Sequence, residues 1–481
     1  MNNIFNLKLI YRITSIILFI ISASFLVCMG IALLYSENVY PFTYSLYISM
    51  FIGVILFALS KDVKRDITIK DAYFIVTFSW LLLSLIGTLP YLFSQVMPTF
   101  TDDLFESVSG FTTTGSSILV DIEALPKSIL FWRSLTNWIG GIGIIMLVVI
   151  ILPSLKISGY YFFVSESSFH DKFKPKIHQV GRRLLLIYIS LTAIEVVLLL
   201  LGKMSLFESI CNSFGTIATG GFSPKNTSIA DYSPYIQYII MIFMFLSGTN
   251  FIIHYNLVKG RFLKIKKNEE FKLYTLLILI IGGIITASLF FQMGKPFEIS
   301  FREAFFQIVS IITTTGFATA DYLLWPKLAL IMIFFSLFLG GSSGSTSGGI
   351  KIFRHLIIFK SIRNRFRQIA HPQLINPIRI NNERLSVESK NTVLSFVILY
   401  IITFVIGTIL TMAFGLDGKT ASSSVATCMA GIGPGIGTIG PVSNFAHIPQ
   451  IDKILLSFLM IIGRLEIYSV IILFTKDFWK S

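Results

Sequence analysis

Apolar positions dominate this chain in runs rather than in an alternating or helical-face pattern. Stretches such as Ile13–Tyr35, Tyr73–Phe93, Leu184–Leu201, Leu273–Phe291 and Val393–Met412 are almost unbroken. Each approaches the roughly 20 residues that an α-helix needs to cross the hydrocarbon core of a bilayer. The first run is longer than the apolar segment of a cleaved signal peptide and lacks a convincing cleavage site, so it reads as a retained helix. Between the runs the pattern changes in a regular way. After a leading helical pair, about residues 9–60, one plan recurs four times. A spanning helix is followed by a short amphipathic stretch, a Gly/Thr-rich turn and a second spanning helix. The short stretches are Asp102–Gly110, Ser205–Gly215, Ser300–Ile312 and Lys419–Met429. At about ten residues they cannot cross a bilayer.

The turns that close these stretches read FTTTGSS (Phe111–Ser117), TIATGGF (Thr216–Phe222), TTTGFAT (Thr313–Thr319) and AGIGPGIG (Ala430–Gly437). Their reference glycines, Gly115, Gly220, Gly316 and Gly433, are 105, 96 and 117 residues apart. A repeat of this length decides the architecture. The expected fold is an all-α polytopic membrane protein of ten spans, two leading helices plus four helix–pore-loop–helix repeats around a pseudo-fourfold pore. The expected divisions are 1–65 for the leading pair, then repeats at 66–155, 156–262, 263–370 and 371–481.

Composition agrees. The 481 residues are 54% hydrophobic and 13% charged, about half the charged share of a water-soluble domain. The net charge of +14 raises the question of nucleic acid, and its distribution answers it. Lys and Arg cluster in alternate connections, Lys61–Lys70, Lys156–Arg183, Lys259–Lys272 and Lys351–Lys390. With Lys8, Arg12, Lys476 and Lys480 these hold 29 of the 39 basic residues. This is the positive-inside asymmetry of a bacterial cytoplasmic (inner) membrane protein with both termini in the cytoplasm. Cys28, Cys211 and Cys428 stand in apolar surroundings at no metal-ligand spacing and imply neither a disulfide framework nor a metal site.

Irregular backbone at membrane depth is tolerated only where it is buried in protein or lines a watery cavity. Four re-entrant turns meeting on one axis make such a cavity, and rings of backbone carbonyls there can replace the hydration shell of a cation. Glycine permits the backbone angles this needs, and threonine hydroxyls can add oxygen. The expected filter residues are Thr113, Thr114, Gly115, Ala218, Thr219, Gly220, Thr314, Thr315, Gly316, Gly431, Ile432 and Gly433. Asp102, Asp103, Glu106 and Asp321 flank the short stretches and read as a solvated rim. Arg133, Glu195 and His254 have no evident partner and read as packing or boundary residues.

Together with GGSSGSTSGGIK and the late GRLE, these turns resemble the TrkH family, membrane subunits of the Trk/Ktr/HKT superfamily of potassium transporters. The resemblance spans nearly the whole chain. It implies potassium uptake, a homodimer and a cytoplasmic, TrkA-like nucleotide-binding regulatory subunit. In the superfamily, serine at the first filter glycine accompanies sodium permeation; glycine at all four positions here favours potassium. The alternative is a Na⁺- or H⁺-coupled carrier with alternating access. Against it, each repeat has two spans and returns to the same side, whereas carriers use inverted repeats.

Two further features bear on gating. Five glycines and five Ser/Thr residues in Gly340–Gly349 interrupt an apolar stretch from Leu328 to Phe359 and cannot be a stable helix interior. Broken helices at midplane mark transport pathways, and the resemblance makes 340–349 a gating loop, with Gly340, Gly341, Gly344, Gly348 and Gly349 as its glycines. Arg464 lies mid-way along Leu455–Phe474, where a charge is costly and functional by default. The resemblance places it in the pore near that loop. The basic segment Lys360–Gln373 suits an acidic partner surface or anionic lipid. GIGTIG (Gly435–Gly440) and GSTSGGIK (Gly344–Lys351) imitate dinucleotide and P-loop motifs, but the first lacks a β-α-β context and the second has Ile350 at the lysine position. No catalytic residues and no cofactor are expected in this chain, only K⁺ as cargo, with nucleotide control through a partner.

Overall fold

The computed structural model describes residues 5–61, 68–146, 174–373 and 377–480. The boundaries expected at 65/66 and 155/156, and most of the basic connection from Lys156, lie outside the described residues.

Helices Leu7–Leu34 and Tyr40–Leu59 form the leading pair and pack along each other. The first also packs on the first repeat, where Phe25 meets Trp132 with ring centroids 4.9 Å apart. Trp132 donates its indole N–H to the Gly87 carbonyl at 3.1 Å, which satisfies the one polar atom of a buried aromatic. Many large side chains on the helix sides stay exposed, Phe51, Leu201, Phe291 and Ile409 among them. A water-soluble protein would bury such a set; a bilayer solvates it.

The four repeats each contribute a half-length helix: Phe100–Phe111, Leu206–Ala218, Phe297–Ile312 and Gly418–Ala430. Three start on side-chain caps, with Thr99, Ser205 and Asp417 accepting from backbone N–H groups of the first turn. Each ends in its glycine-bearing turn, so the negative ends of the four helix dipoles point at the turns.

Among the described residues, six helices are long and apolar enough to cross a membrane. Three of the others expected to span depart from a straight rod. Pro234–Ser247 and Phe251–Val258 meet at 102°, and Gln450–Arg464 and Tyr468–Phe474 meet at 110°. The third-repeat exit helix stops at Ser336 and the chain resumes helix only at Ile352. The first-repeat exit helix is Lys127–Met146. Among the described residues one two-stranded ladder forms, Arg379–Ile380 with Glu383–Arg384.

Candidate functional site

The four turns share one backbone conformation. Thr113, Thr219, Thr314 and Gly431 all have positive φ, at 51°, 54°, 57° and 71°. Two residues on, Gly115, Gly221, Gly316 and Gly433 do so again, at 79°, 69°, 85° and 96°. The residue between is hydrogen bonded identically in each turn. Thr114, Gly220, Thr315 and Ile432 donate their N–H to the carbonyl five residues earlier, at 2.9, 2.8, 2.8 and 3.0 Å. A β-branched residue in the left-handed region is a true outlier. Three threonines held there cost about 1–3 kcal/mol each, the kind of strain that collects at functional sites.

This pattern corrects the register read from the sequence. In TIATGGF the residue equivalent to Gly115 is Gly221, not Gly220, and the second turn comprises Thr219, Gly220 and Gly221. Ala218 is the last helical residue, matching Thr112 and Thr313. The two adjacent glycines look alike in sequence, but only Gly221 takes the left-handed conformation.

The turns also close on one another in a ring. A methyl group built on Gly115 would lie 2.5 Å from the Gly220 carbonyl oxygen; on Gly221, 2.1 Å from that of Thr315; on Gly316, 1.8 Å from that of Ile432. On Gly433 it would lie 2.9 Å from the Thr114 oxygen, which completes the circuit. All four oxygens belong to equivalent residues, and all four approaches require the absence of a side chain. Hydrogen bonds fasten the same neighbours: Ile229 N–H to Ala318 O at 3.1 Å, Tyr322 hydroxyl to Gly435 O at 2.6 Å and Phe445 N–H to Ser117 O at 2.8 Å. The four turns thus close on one another in sequence; Ala218 ends its helix instead of lying in the second turn, and Gly221 takes the position expected of Gly220.

Behind the ring, the acidic residues are not a solvated rim. Glu106 is fully buried and pairs with Arg133 at 2.8 Å. It also accepts from Ser117 Oγ and the Ile118 N–H, while Arg133 donates to Ser223 O of the second turn's exit. Asp102 is buried and pairs with Lys453 of the fourth repeat at 2.7 Å. Asp103 is buried as well, and Asp321 caps a short helical turn through the Leu323 N–H. Arg133 is therefore a cross-brace between repeats. His254 Nε2 lies 2.8 Å from Leu246 O and spans the bend of its own exit helix. Glu195 is fully buried beside Thr216. Cys28, Cys211 and Cys428 are free and buried.

The Gly/Ser loop is packed against the ends of the half-helices. Ser342, Ser345, Thr346 and Ser347 are buried, which is incompatible with an extramembrane linker. Thr346 Oγ1 donates to Ile217 O at 3.0 Å, Gly348 N–H to Thr314 Oγ1 at 2.6 Å, and Ser342 N–H to Gly248 O at 2.8 Å. Gly340 and Ile350 close the loop's neck, N–H to O, at 2.9 Å. A methyl on Gly348 would sit 2.1 Å from the Ala430 carbonyl oxygen, and one on Gly341 2.3 Å from Ser347 Oγ. Gly344 and Gly349 take positive φ, at 74° and 67°. The loop thereby touches the second, third and fourth repeats at once.

Arg464 is buried and ends its helix, instead of lying within one. Its Nη1 donates to Thr346 O of the loop at 2.7 Å; Nε and Nη2 have no partner. The nearby Glu466 is engaged elsewhere, with Arg354 at 2.5 Å. The chain breaks here through Glu466 and Ile467, both with positive φ.

The TrkH family profile, described as "Cation transport protein", matches residues 40–481. The Trk system potassium uptake protein TrkH of Salmonella typhimurium is 34% identical over 98% of this chain and 99% of its own length. The Trk system potassium uptake protein TrkG of Escherichia coli K12 is 33% identical over the whole of both chains. Among solved structures, the crystal structure of the potassium transporter TrkH from Vibrio parahaemolyticus superposes with a TM-score of 0.91 at 32% identity, covering 98% of this chain and 99% of that one.

Proposed function

Because this chain belongs to the TrkH family of cation transport proteins, we propose that it carries potassium into the bacterial cell through a single pore, with the four turns as its selectivity filter. The observation that carries this reading is the closed ring of carbonyl oxygens from Thr114, Gly220, Thr315 and Ile432, each held against the next turn's left-handed glycine. φ of alternating sign turns successive carbonyls to the same side, and stacked carbonyl rings exchange for the water around a K⁺ ion. The three threonines stay in their strained conformation only because the surrounding packing over-determines it, so the geometry is set without a bound ion to impose it.

The loop 340–349 is the gate in this proposal, and Arg464 its electrostatic latch. A guanidinium with two unpartnered nitrogens beside the ion path repels cations, and its one bond holds the loop closed. The homodimer and the cytoplasmic nucleotide-binding subunit belong to the same proposal. Helix Ile352–Ala370 exposes Arg363, Arg365 and Arg367, a surface suited to an acidic partner or to anionic headgroups.

The test is the reversal potential of purified protein in a bilayer under a K⁺/Na⁺ gradient. Gly115→Ser places a side chain against the Gly220 carbonyl and should move the reversal potential toward that of a non-selective pore. A potential that stays where it was would mean that the first turn does not face the ion.

A further inference from the structure

The four turns are alike in backbone but not in what stands behind them. In the first and third, a pair of threonine hydroxyls braces the turn. Thr112 Oγ1 meets Thr114 Oγ1 at 2.8 Å and donates to Val108 O at 2.7 Å. Thr313 and Thr315 repeat this with the same two distances, to each other and to Val309 O. The second and fourth turns have neither hydroxyl, since their equivalent residues are Ala218 and Gly220, and Ala430 and Ile432; of the four, the second alone has no side chain at the middle position.

Its missing side chain is supplied from another repeat. Asn137, on the exit helix Lys127–Met146 of the first repeat, is fully buried. A methyl built on Gly220 would fall 2.6 Å from both Asn137 Cγ and Nδ2 and 3.0 Å from its Cβ. The carboxamide therefore occupies the volume that a threonine at position 220 would fill. Both of its polar atoms lack a hydrogen-bond partner within the protein. That is costly for a buried amide and calls for a role.

The adjoining helix shows the reciprocal arrangement. Gly141 packs on Ala218, and Gly248 of the next exit helix packs on Thr313, the equivalent residue of the third turn. Four residues ahead of those glycines stand Asn137 and Met244. Ahead of the glycine that faces the third turn, whose middle residue is Thr315, the sequence carries the apolar Met244. Where the middle residue has no side chain, at Gly220, the helix places an amide.

We propose that Asn137 is a positioning residue of the filter, a cross-repeat substitute for the absent threonine that sets the Gly220 carbonyl in the ring and so contributes to ion discrimination. The inference rests on the filter reading above, and its test separates the two.

Purified protein is reconstituted in liposomes, and K⁺ over Na⁺ permeability is taken from reversal potentials. Asn137→Ala should lower the permeability ratio about tenfold, equivalent to about 1.4 kcal/mol of ion discrimination, as the Gly220 backbone loses the side chain packed against it. Gly220→Thr alone, driven into Asn137, should lower it at least as far. The pair Asn137→Met with Gly220→Thr transplants the third repeat's arrangement and should restore most of the ratio. Such rescue is a readout that simple loss of packing would not produce. If the pair is no more selective than either single variant, the proposal is overturned, and this comparison stands even if Asn137→Ala does not fold. Gly115→Ser serves as the reference. If it shifts selectivity while Asn137→Ala leaves the ratio intact, the Asn137 role fails and the filter reading survives. If Gly115→Ser has no effect, the filter reading itself fails.

Discussion

Arg133 and Arg464 are both buried and both on exit helices, yet their surroundings are opposite. Arg133 spends its guanidinium on Glu106, Ser117 and Ser223 and joins the first turn to the exit of the second. Arg464 makes one bond, to a loop carbonyl, and leaves two nitrogens without a partner. A satisfied buried charge is scaffold, because removing either partner strands the other. An unsatisfied one is poised, because the state that relieves it is a different arrangement of the chain.

Three substitutions probe that contrast, in descending order of expected effect. Arg133→Met strands Glu106 in the interior and should cost about 3–5 kcal/mol, read as a collapse in folded yield and thermal midpoint in detergent. Pairing it with Glu106→Gln should recover most of the loss, and a double variant as unstable as the single one would show that the ion pair is not the brace. Arg464→Ala should instead leave the thermal midpoint unchanged or higher, since it removes an uncompensated charge. Basal rubidium flux in liposomes should rise about tenfold, equivalent to about 1.4 kcal/mol off the barrier. Flux unchanged in a well-folded variant would end the idea of a latch. Thr346→Val removes the loop's hydroxyl bond to Ile217 O but keeps the carbonyl that Arg464 holds. Its loss of about 1 kcal/mol should raise basal flux only a few-fold, and an effect equal to that of Arg464→Ala would shift the latch from the arginine to the threonine.

The broad plan was legible in the sequence because hydropathy and length report directly on the bilayer. Half-length amphipathic stretches at Asp102–Gly110 and Lys419–Met429 sit where helices Phe100–Phe111 and Gly418–Ala430 form. The broken third exit helix was announced by its glycines. What stayed hidden depends on relations between distant residues. Nothing local distinguishes Gly220 from Gly221; the difference is which one the third turn's carbonyl presses against. Glu106 and Arg133 are 27 positions apart across a re-entrant turn, so the acid read as a rim residue and the arginine as unpartnered. The bend after Arg464 passes through Leu465, Glu466 and Ile467, types that continue a helix as readily as they end one. Only the approach of Gly463 to the Met429 carbonyl, 2.0 Å from a methyl built there, reveals how tightly that helix end is docked.

Since one polypeptide furnishes every quarter of the ring, the quarters are free to diverge. An assembly of four identical subunits would have to carry each change in every copy, so that one interrupted exit helix would become four. Among the described residues the third quarter alone carries the Gly/Ser loop 340–349, the fourth alone ends an exit-helix segment at an arginine, and the second alone packs an amide of its neighbour against its middle residue. Carrying all four repeats in one chain leaves the protein free to keep its symmetry in the turns and abandon it behind them.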